Sequence, residues 1–285
     1  MPVQSIIDHC GLPVTRYEPV HGGDINRSYC LHGTGIKYFL KLNDADRYPG
    51  MFEKEAGGLA ALRSNPGIFV PQVIACGSVK EEQFLLLEWI EKGIPAIDHR
   101  EKFGTSLAAM HRHPQPFFGW KENNFIGSLP QDNTAHTSWH TFFTECRVMP
   151  LVKKLSDAGS FSLKDVQAAE LFCKEIISIF PDEPPALLHG DLWAGNYMIA
   201  SSGYAALYDP AVYYGHREME IGMTKLFGGF DPRFYEAYHE VYPLEKNWRQ
   251  RISLTQLYPI LVHALLFGAH YATSAREIIR QFRRA

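Results

Sequence analysis

The sequence predicts an α+β chain in two lobes: a small β-rich lobe over residues 1–90 and a larger helical lobe over residues 91–285. Three observations predict it. Up to about residue 90, short runs rich in β-branched, aromatic and aliphatic residues recur: "VTRYEPV", "NRSYCLHG", "IKYFLKLN" and "FLLLEWI". Beyond "EKGIP" the apolar residues fall at helical spacing, over roughly 100–111, 138–154, 163–179, 217–227, 232–242 and from 247 onward. The length, 285 residues, reaches the size at which one hydrophobic core stops growing, roughly 250–300 residues.

The elements follow in chain order. One helix, residues 51–63, interrupts the early strands and ends before "SNPG", a turn signal. A linker is expected near residues 88–95. Within the helical part, "NYMIA" and "AALYD" are short strand-like runs joined through "SSG", a hairpin signal. The most apolar stretch, "LYPILVHALLFGAHYA", is broken by Pro259, His263 and His270, so it reads as a buried helix rather than a membrane span.

Composition excludes several classes. Apolar residues make up 46% and charged residues 21%, as in an ordinary soluble domain, and a net charge of -3 gives no pull toward nucleic acid or anionic membrane. The basic tail, with Arg276, Arg280, Arg283 and Arg284, suits a solvated helix end. The five cysteines are scattered without a C-x-x-C, which points to reduced thiols rather than disulfides or zinc. The N-terminal segment has no signal-peptide pattern. The expected location is cytoplasmic.

Four places carry chemistry. In "HGGDINRSY", Gly22 and Gly23 lie between two strand-like runs, where backbone N–H groups can approach a phosphate; a plain turn has the same look. In "YFLKLN", strand alternation puts Lys41 on one face with Phe39, opposite Leu40 and Leu42. Such a lysine is either exposed at an edge or pointed into a cleft. In the helix "MFEKEAGGLAALR", Glu55 shares a narrow stripe with Phe52, Leu59 and Leu62. A carboxylate there needs a partner, and Lys41 on the preceding strand is the nearest upstream candidate. The fourth place is "LLHGDLWAGN" together with "LYDPA". The predicted hairpin returns Asp209 alongside Asn196, and an amide oxygen with a carboxylate suits Mg²⁺. Asp191 is then left to take a proton from a hydroxyl, and His189 to brace the loop.

This ordered set, glycine-containing hairpin, Lys, helix Glu, linker, Asp-x4-Asn and Asp, matches the parts protein kinases use for phosphoryl transfer. "HGDLWAGN" stands where protein kinases carry His-Arg-Asp, and "YDPA" where they carry Asp-Phe-Gly. These variants resemble the aminoglycoside phosphotransferase and choline kinase branch. "GGDINRSY", "FLKLN", "MFEKEAGGLAAL", "NNFIGSLPQDN", "LLHGDLWAGN", "DPAVYYGHRE" and "MTKLFGGF" together resemble, more closely, the fructosamine kinase (ketosamine 3-kinase) family over about residues 6–271.

The resemblance implies a bilobal, protein-kinase-like fold and a set of roles. Gly22, Gly23 and the neighbouring Asn26 would cover the ATP phosphates. Lys41, oriented by Glu55, would contact the α and β phosphates. Glu88 and Ile90 would offer backbone groups to adenine. Asp191 would be the catalytic base, and Asn196 and Asp209 would hold Mg²⁺. Trp193 would wall the substrate pocket, with Tyr214 and His216 as neighbours. Glu220 stands where the family usually has Asp, and its helical face, shared with Met223 and Phe227, points inward. The implied reaction is ATP-dependent phosphorylation of the 3-hydroxyl of a small-molecule or protein-bound ketosamine, in a deglycation role. Competing readings are an aminoglycoside- or choline-type kinase, a non-catalytic nucleotide-binding module, and a metal hydrolase built on the thirteen histidines; for the last, no H-E-x-x-H is present.

Overall fold

A computed structural model describes residues 2–21 and 25–282. The chain runs through α1 (Pro2–His9), β1 (Val14–Val20), β2 (Arg27–Gly33), β3 (Lys37–Asp44), α2 (Met51–Arg63), β4 (Val73–Val79) and β5 (Glu82–Glu88). It continues with α3 (His99–His111), β6 (Asn124–Ile126), β7 (Leu129–Gln131), α4 (Trp139–Phe142), a π turn (Phe143–Val148), α5 (Met149–Asp157) and α6 (Leu163–Glu175). Then come β8 (Ala186–Leu188), β9 (Tyr197–Ile199), β10 (Ala205–Leu207), β11 (Tyr213–Gly215), α7 (Glu218–Leu226), α8 (Pro232–Val241), α9 (Trp248–Thr255), α10 (Leu257–Phe267) and α11 (Ala269–Phe282).

Two compact units result. One comprises residues 1–99 and 197–210; the other comprises 100–196 and 211–285. The sequence-based boundary at 90/91 therefore needs correcting in two respects. The linker segment goes with the first unit, and so does the β9–β10 hairpin. The cause is backbone pairing: Lys92 bridges Ala200, Phe69 bridges Ala206, and the Gly93 N–H donates to the Ile199 carbonyl.

The first unit is built on a five-stranded antiparallel sheet in the order β1-β2-β3-β5-β4. Period-2 alternation divides its faces. Leu31, Leu40, Leu42, Phe84 and Leu86 form a core with Val3, Ile6 and Ile7 of α1. The register pairs Cys30 with Phe39 and Leu87, and Ser28 with Lys41 and Leu85, so these residues share the other face. Helix α2 has the predicted bounds and buries Phe52, Leu59 and Leu62. The sequence patterning missed α1 and β4. The edge strand β4, "VIACGSV", is only half-buried on alternate residues and carries Ala, Gly and Ser, so its β signal is weak.

In the second unit α5, α6, α10 and α11 pack together, and α7 packs on α9. Helix α7 is buried from Glu218 to Thr224. Arg251 neutralises Glu218, at 2.7 Å from Nε to Oε2 and 2.5 Å from Nη2 to Oε1. The sequence predicts one helix over 138–154, but the structure inserts a π turn between α4 and α5. Pro150 supplies the reason. It has no N–H for the Cys146 carbonyl, and its ring would collide with that carbonyl in a regular helix. The wider turn avoids the collision, and Arg147 Nη1 donates to the freed Cys146 oxygen at 3.1 Å.

Candidate active site

Lys41 projects from the centre of β3 and is 3% exposed, which rules out the edge-exposed alternative. Its Nζ donates to Glu55 Oε1 at 2.6 Å and to Asp209 Oδ1 at 2.5 Å. Helix α2 delivers Glu55, and the β9–β10 hairpin delivers Asp209, two residues past β10. Burial alone would push the Lys41 ammonium toward neutrality, but Asp209 and Glu55 outweigh it and hold the lysine pKa above its ordinary value. Burial raises the Glu55 pKa, opposed by Lys41 and reinforced by Asp209. Two carboxyl groups thus share one ammonium.

Asp209 has φ 56, in the left-handed region, and is followed by Pro210. A non-glycine residue before proline adopts that conformation at a cost of about 1–3 kcal/mol. Strain of this kind concentrates where a side chain must be aimed.

Elsewhere in this unit the predicted nucleotide residues have varied surroundings. Gly22 and Gly23 lie outside the described residues. Asn26 Oδ1 accepts from Asn43 Nδ2 at 2.9 Å, tying the start of β2 to β3. The Glu88 N–H donates to the Gln72 carbonyl at 2.9 Å, and the Glu88 carboxylate accepts from the Gln72 N–H at 2.9 Å, so that N–H is committed to the sheet. Ile90 follows β5 and is partly buried. Cys30 lies close to Glu18 and His32, with one potential ligand atom from each within 4.8 Å of the others; His32 there bonds Glu18 and Arg16.

In the second unit the "HGDLWAGN" loop leaves β8, which pairs with β11. Glu220 holds its backbone: Oε2 accepts the His189 N–H at 2.5 Å and Oε1 the Gly190 N–H at 3.3 Å. The extra methylene relative to Asp is accommodated, and Glu220 braces the loop. His189 is fully buried, and its Nδ1 accepts the Asp191 N–H at 3.3 Å, the bracing role expected of it. Gly190 has φ +85, and a Cβ there would lie 2.1 Å from the Ala211 oxygen, so only glycine fits. The Ala211 N–H donates to the His189 carbonyl at 2.9 Å, pinning the stretch after Pro210 to the loop. Asn196 Nδ2 donates to the Asp191 backbone oxygen at 2.9 Å and to Asp191 Oδ2 at 2.8 Å. The amide nitrogen orients the Asp191 carboxylate, and Oδ1 is the Asn196 atom that can serve a cation.

Trp193 lies edge-on to Phe227, with ring centroids 5.4 Å apart, and Phe227 in turn packs on His263 at 5.1 Å. A Cβ on Gly195 would meet the Trp193 ring at 2.3 Å, so the indole packs directly against that glycine. Tyr214 is half-buried, with its ring against Phe117 and Trp120. His216 must be corrected. It is 0% exposed, one ring nitrogen bonds the Pro181 carbonyl, and the other accepts the Glu218 N–H. It is a structural residue with no face for a substrate. Sequence patterning assigns no role to Phe227 or His263, because both lie far from Trp193 along the chain.

The profile of the fructosamine kinase family matches residues 3–285. The chain belongs to the fructosamine kinase family. Among relatives of this family, a Synechocystis sp. protein named "Probable ketoamine kinase" is 40% identical over 283 residues, covering 98% of this chain and 94% of its own. The chloroplastic protein-ribulosamine 3-kinase of Oryza sativa subsp. japonica is 34% identical, covering 95% and 80%. A crystallised Thermobifida fusca chain, itself a candidate fructosamine-3-kinase, superposes with a TM-score of 0.88 at 34% identity, covering 100% of this chain and 99% of its own. The fold is therefore the protein-kinase-like α+β fold of the fructosamine kinases, as the sequence predicts.

Proposed function

We propose that this protein is an ATP-dependent kinase that phosphorylates the 3-hydroxyl of a ketosamine. The observation that carries the reading is the buried Lys41 ammonium held by Glu55 and Asp209 in a chain of this family. A cation fixed in that way suits the polyphosphate of ATP, because catalysis of phosphoryl transfer is mostly positioning and charge neutralisation. Gly22, Gly23 and Asn26 cover the phosphates, and Glu88 and Ile90 present backbone groups to adenine. For Glu88 the group offered is the carbonyl, since its N–H is occupied.

Asp191 is the catalytic base. Its carboxylate, turned by Asn196, accepts the proton as the sugar oxygen bonds to the γ-phosphorus and the bond to the ADP oxygen breaks. The Trp193–Phe227 pair forms an apolar wall against the sugar, and Tyr214 is a further substrate contact. Mg²⁺ would be held by Asn196 Oδ1 and the Asp209 carboxylate, both hard oxygens of the kind it takes. Mg²⁺ there would neutralise phosphate charge. The 3-phosphate so formed is labile: β-elimination expels inorganic phosphate, and water then hydrolyses the resulting imine and frees the amine, which makes the chain a deglycation enzyme acting on free or protein-bound ketosamines in the cytoplasm. Among the described residues no helix is long and apolar enough to cross a membrane.

The test is ADP release with Mg²⁺ on ribulose-lysine, erythrulose-lysine, fructose-lysine, an aminoglycoside and choline, with Asp191→Asn as control. Turnover on a ketosamine that disappears in the variant supports the reading. Turnover confined to the aminoglycoside or choline sinks it.

A further inference from the structure

Arg147 sits on the π turn and is 0% exposed. Its guanidinium lies 4.4, 4.3 and 5.1 Å from the ring centroids of Phe142, Tyr213 and Tyr258. Nη1 donates to the Asp132 and Cys146 carbonyls, and Nη2 to Asn133 Oδ1 at 2.7 Å, while Nε has no partner. Among the described residues no carboxylate forms an ion pair with it. Aromatic faces and amide oxygens soften the cost of a buried cation but do not cancel it. Packing alone would be served better by a neutral side chain of similar length.

The hydrogen bonds around Arg147 lead to the catalytic loop. Asn133 Nδ2 donates to Asn124 Oδ1 at 2.8 Å, and Gln131 Nε2 donates to the same oxygen at 2.7 Å. Asn124 Nδ2 holds the Val212 carbonyl at 2.8 Å, and Gln131 Nε2 holds the Ala211 carbonyl at 3.1 Å. Ala211 is bonded to His189, two residues before Asp191. A second route passes through Tyr258, whose hydroxyl donates to Gln131 Oε1 at 2.8 Å. Burial, opposed by Arg147 and reinforced by the Asp191 charge, pushes the Tyr258 phenol up to about 12.

We infer that Arg147 is a positioning residue for turnover: a buried cation that locks the Asn133–Asn124–Gln131 amides and Tyr258, and through them the 211–212 backbone and the Asp191 loop. It touches neither substrate nor nucleotide. The kinetic part of this inference rests on the kinase reading above; the mechanical part does not. The π turn forced by Pro150 belongs to the same device, because it brings the guanidinium to the Cys146 carbonyl.

Two measurements test it. In steady-state kinetics on the ketosamine the wild type accepts, Arg147→Met lowers kcat about 10²-fold, the scale of a loop misplaced by about an ångström. KM for ATP stays within about threefold, and Arg147→Lys recovers part but not all of the loss. Tyr258→Phe, which keeps the ring and removes one hydrogen bond, lowers kcat in the same direction and serves should Arg147→Met fail to fold. Hydrogen exchange needs no substrate. In Arg147→Lys, peptides over 187–196 and 211–215 exchange several-fold faster while α11 is unchanged. Wild-type kcat in both Arg147→Lys and Tyr258→Phe, with unchanged exchange in the loop, overturns the inference. A wild type inactive on every ketosamine overturns the kinase reading instead, and the exchange result still decides the mechanical part.

Discussion

Replacing Glu220 with Gln removes one negative charge and little volume. The carboxylate is 1% exposed and accepts two backbone N–H groups, from His189 at 2.5 Å and Gly190 at 3.3 Å. A carboxamide has one acceptor oxygen and one donor nitrogen, so one N–H would face an NH₂ group. Leaving a buried donor unsatisfied costs about 1–3 kcal/mol. His111, whose Nε2 lies 3.9 Å from Glu220 and lacks a hydrogen-bond partner, gives the amide another way to turn but leaves the same N–H unpaired. At about 2–4 °C per kcal/mol for a chain of this size, Glu220→Gln lowers Tm by about 2–12 °C. The loop also shifts at Asp191, so kcat falls about 10–10²-fold. Thermal unfolding followed by fluorescence, and coupled ADP release on folded protein, measure both. A variant with wild-type Tm and kcat would mean that the loop is held by something other than this carboxylate, and the bracing role would be withdrawn.

Asp191→Asn should lower turnover by about 10²–10⁴-fold with ATP affinity, read by titration calorimetry, within about threefold; unchanged turnover removes Asp191 from the base role. Burial depresses the pKa of His111 and of His216. For a histidine depressed on folding, stability is present above the unfolded pKa of about 6.5 and lost as pH falls through it toward the folded value. Tm should therefore fall between about pH 7 and 5, and His216→Gln should flatten the slope; an identical slope in the variant refutes the assignment. Gly195→Ala places a methyl 2.3 Å from the Trp193 ring atoms, so the indole must leave its position. KM for the sugar should rise several-fold at constant KM for ATP, and equal effects on both substrates would remove Trp193 from the sugar wall.

Local signals were legible where a side chain's surroundings follow from periodicity. Alternation on β3 placed Lys41 opposite Leu40 and Leu42, and the helical stripe of α2 placed Glu55 inward; the 2.6 Å ion pair joins them. The hairpin after "HGDLWAGN" and the inward face of Glu220 were read from the same rules. What escaped depends on contacts distant in sequence. Nothing local in "GHRE" says that Pro181 occupies one nitrogen of His216, 35 residues away. The amides of "NNFIGSLPQDN" look like surface polar residues until Ala211 and Val212 arrive to use them. The π turn was hidden because Pro150 reads equally well as an early helix residue.

The first unit is discontinuous in sequence, and this has a consequence for synthesis. Residues 1–99 leave the ribosome without β9, β10 or Asp209, which follow only at 197–210. At about 5–20 residues per second, the β9–β10 hairpin arrives on the order of ten seconds late. Through that interval Lys41 has Glu55 as its one carboxylate from this pair, and the Phe69 and Lys92 backbones wait for their bridging partners. A nascent chain arrested near residue 150 should accordingly hold an incomplete N-terminal unit exposed to chaperones and proteases, whereas one arrested well past residue 210 should not.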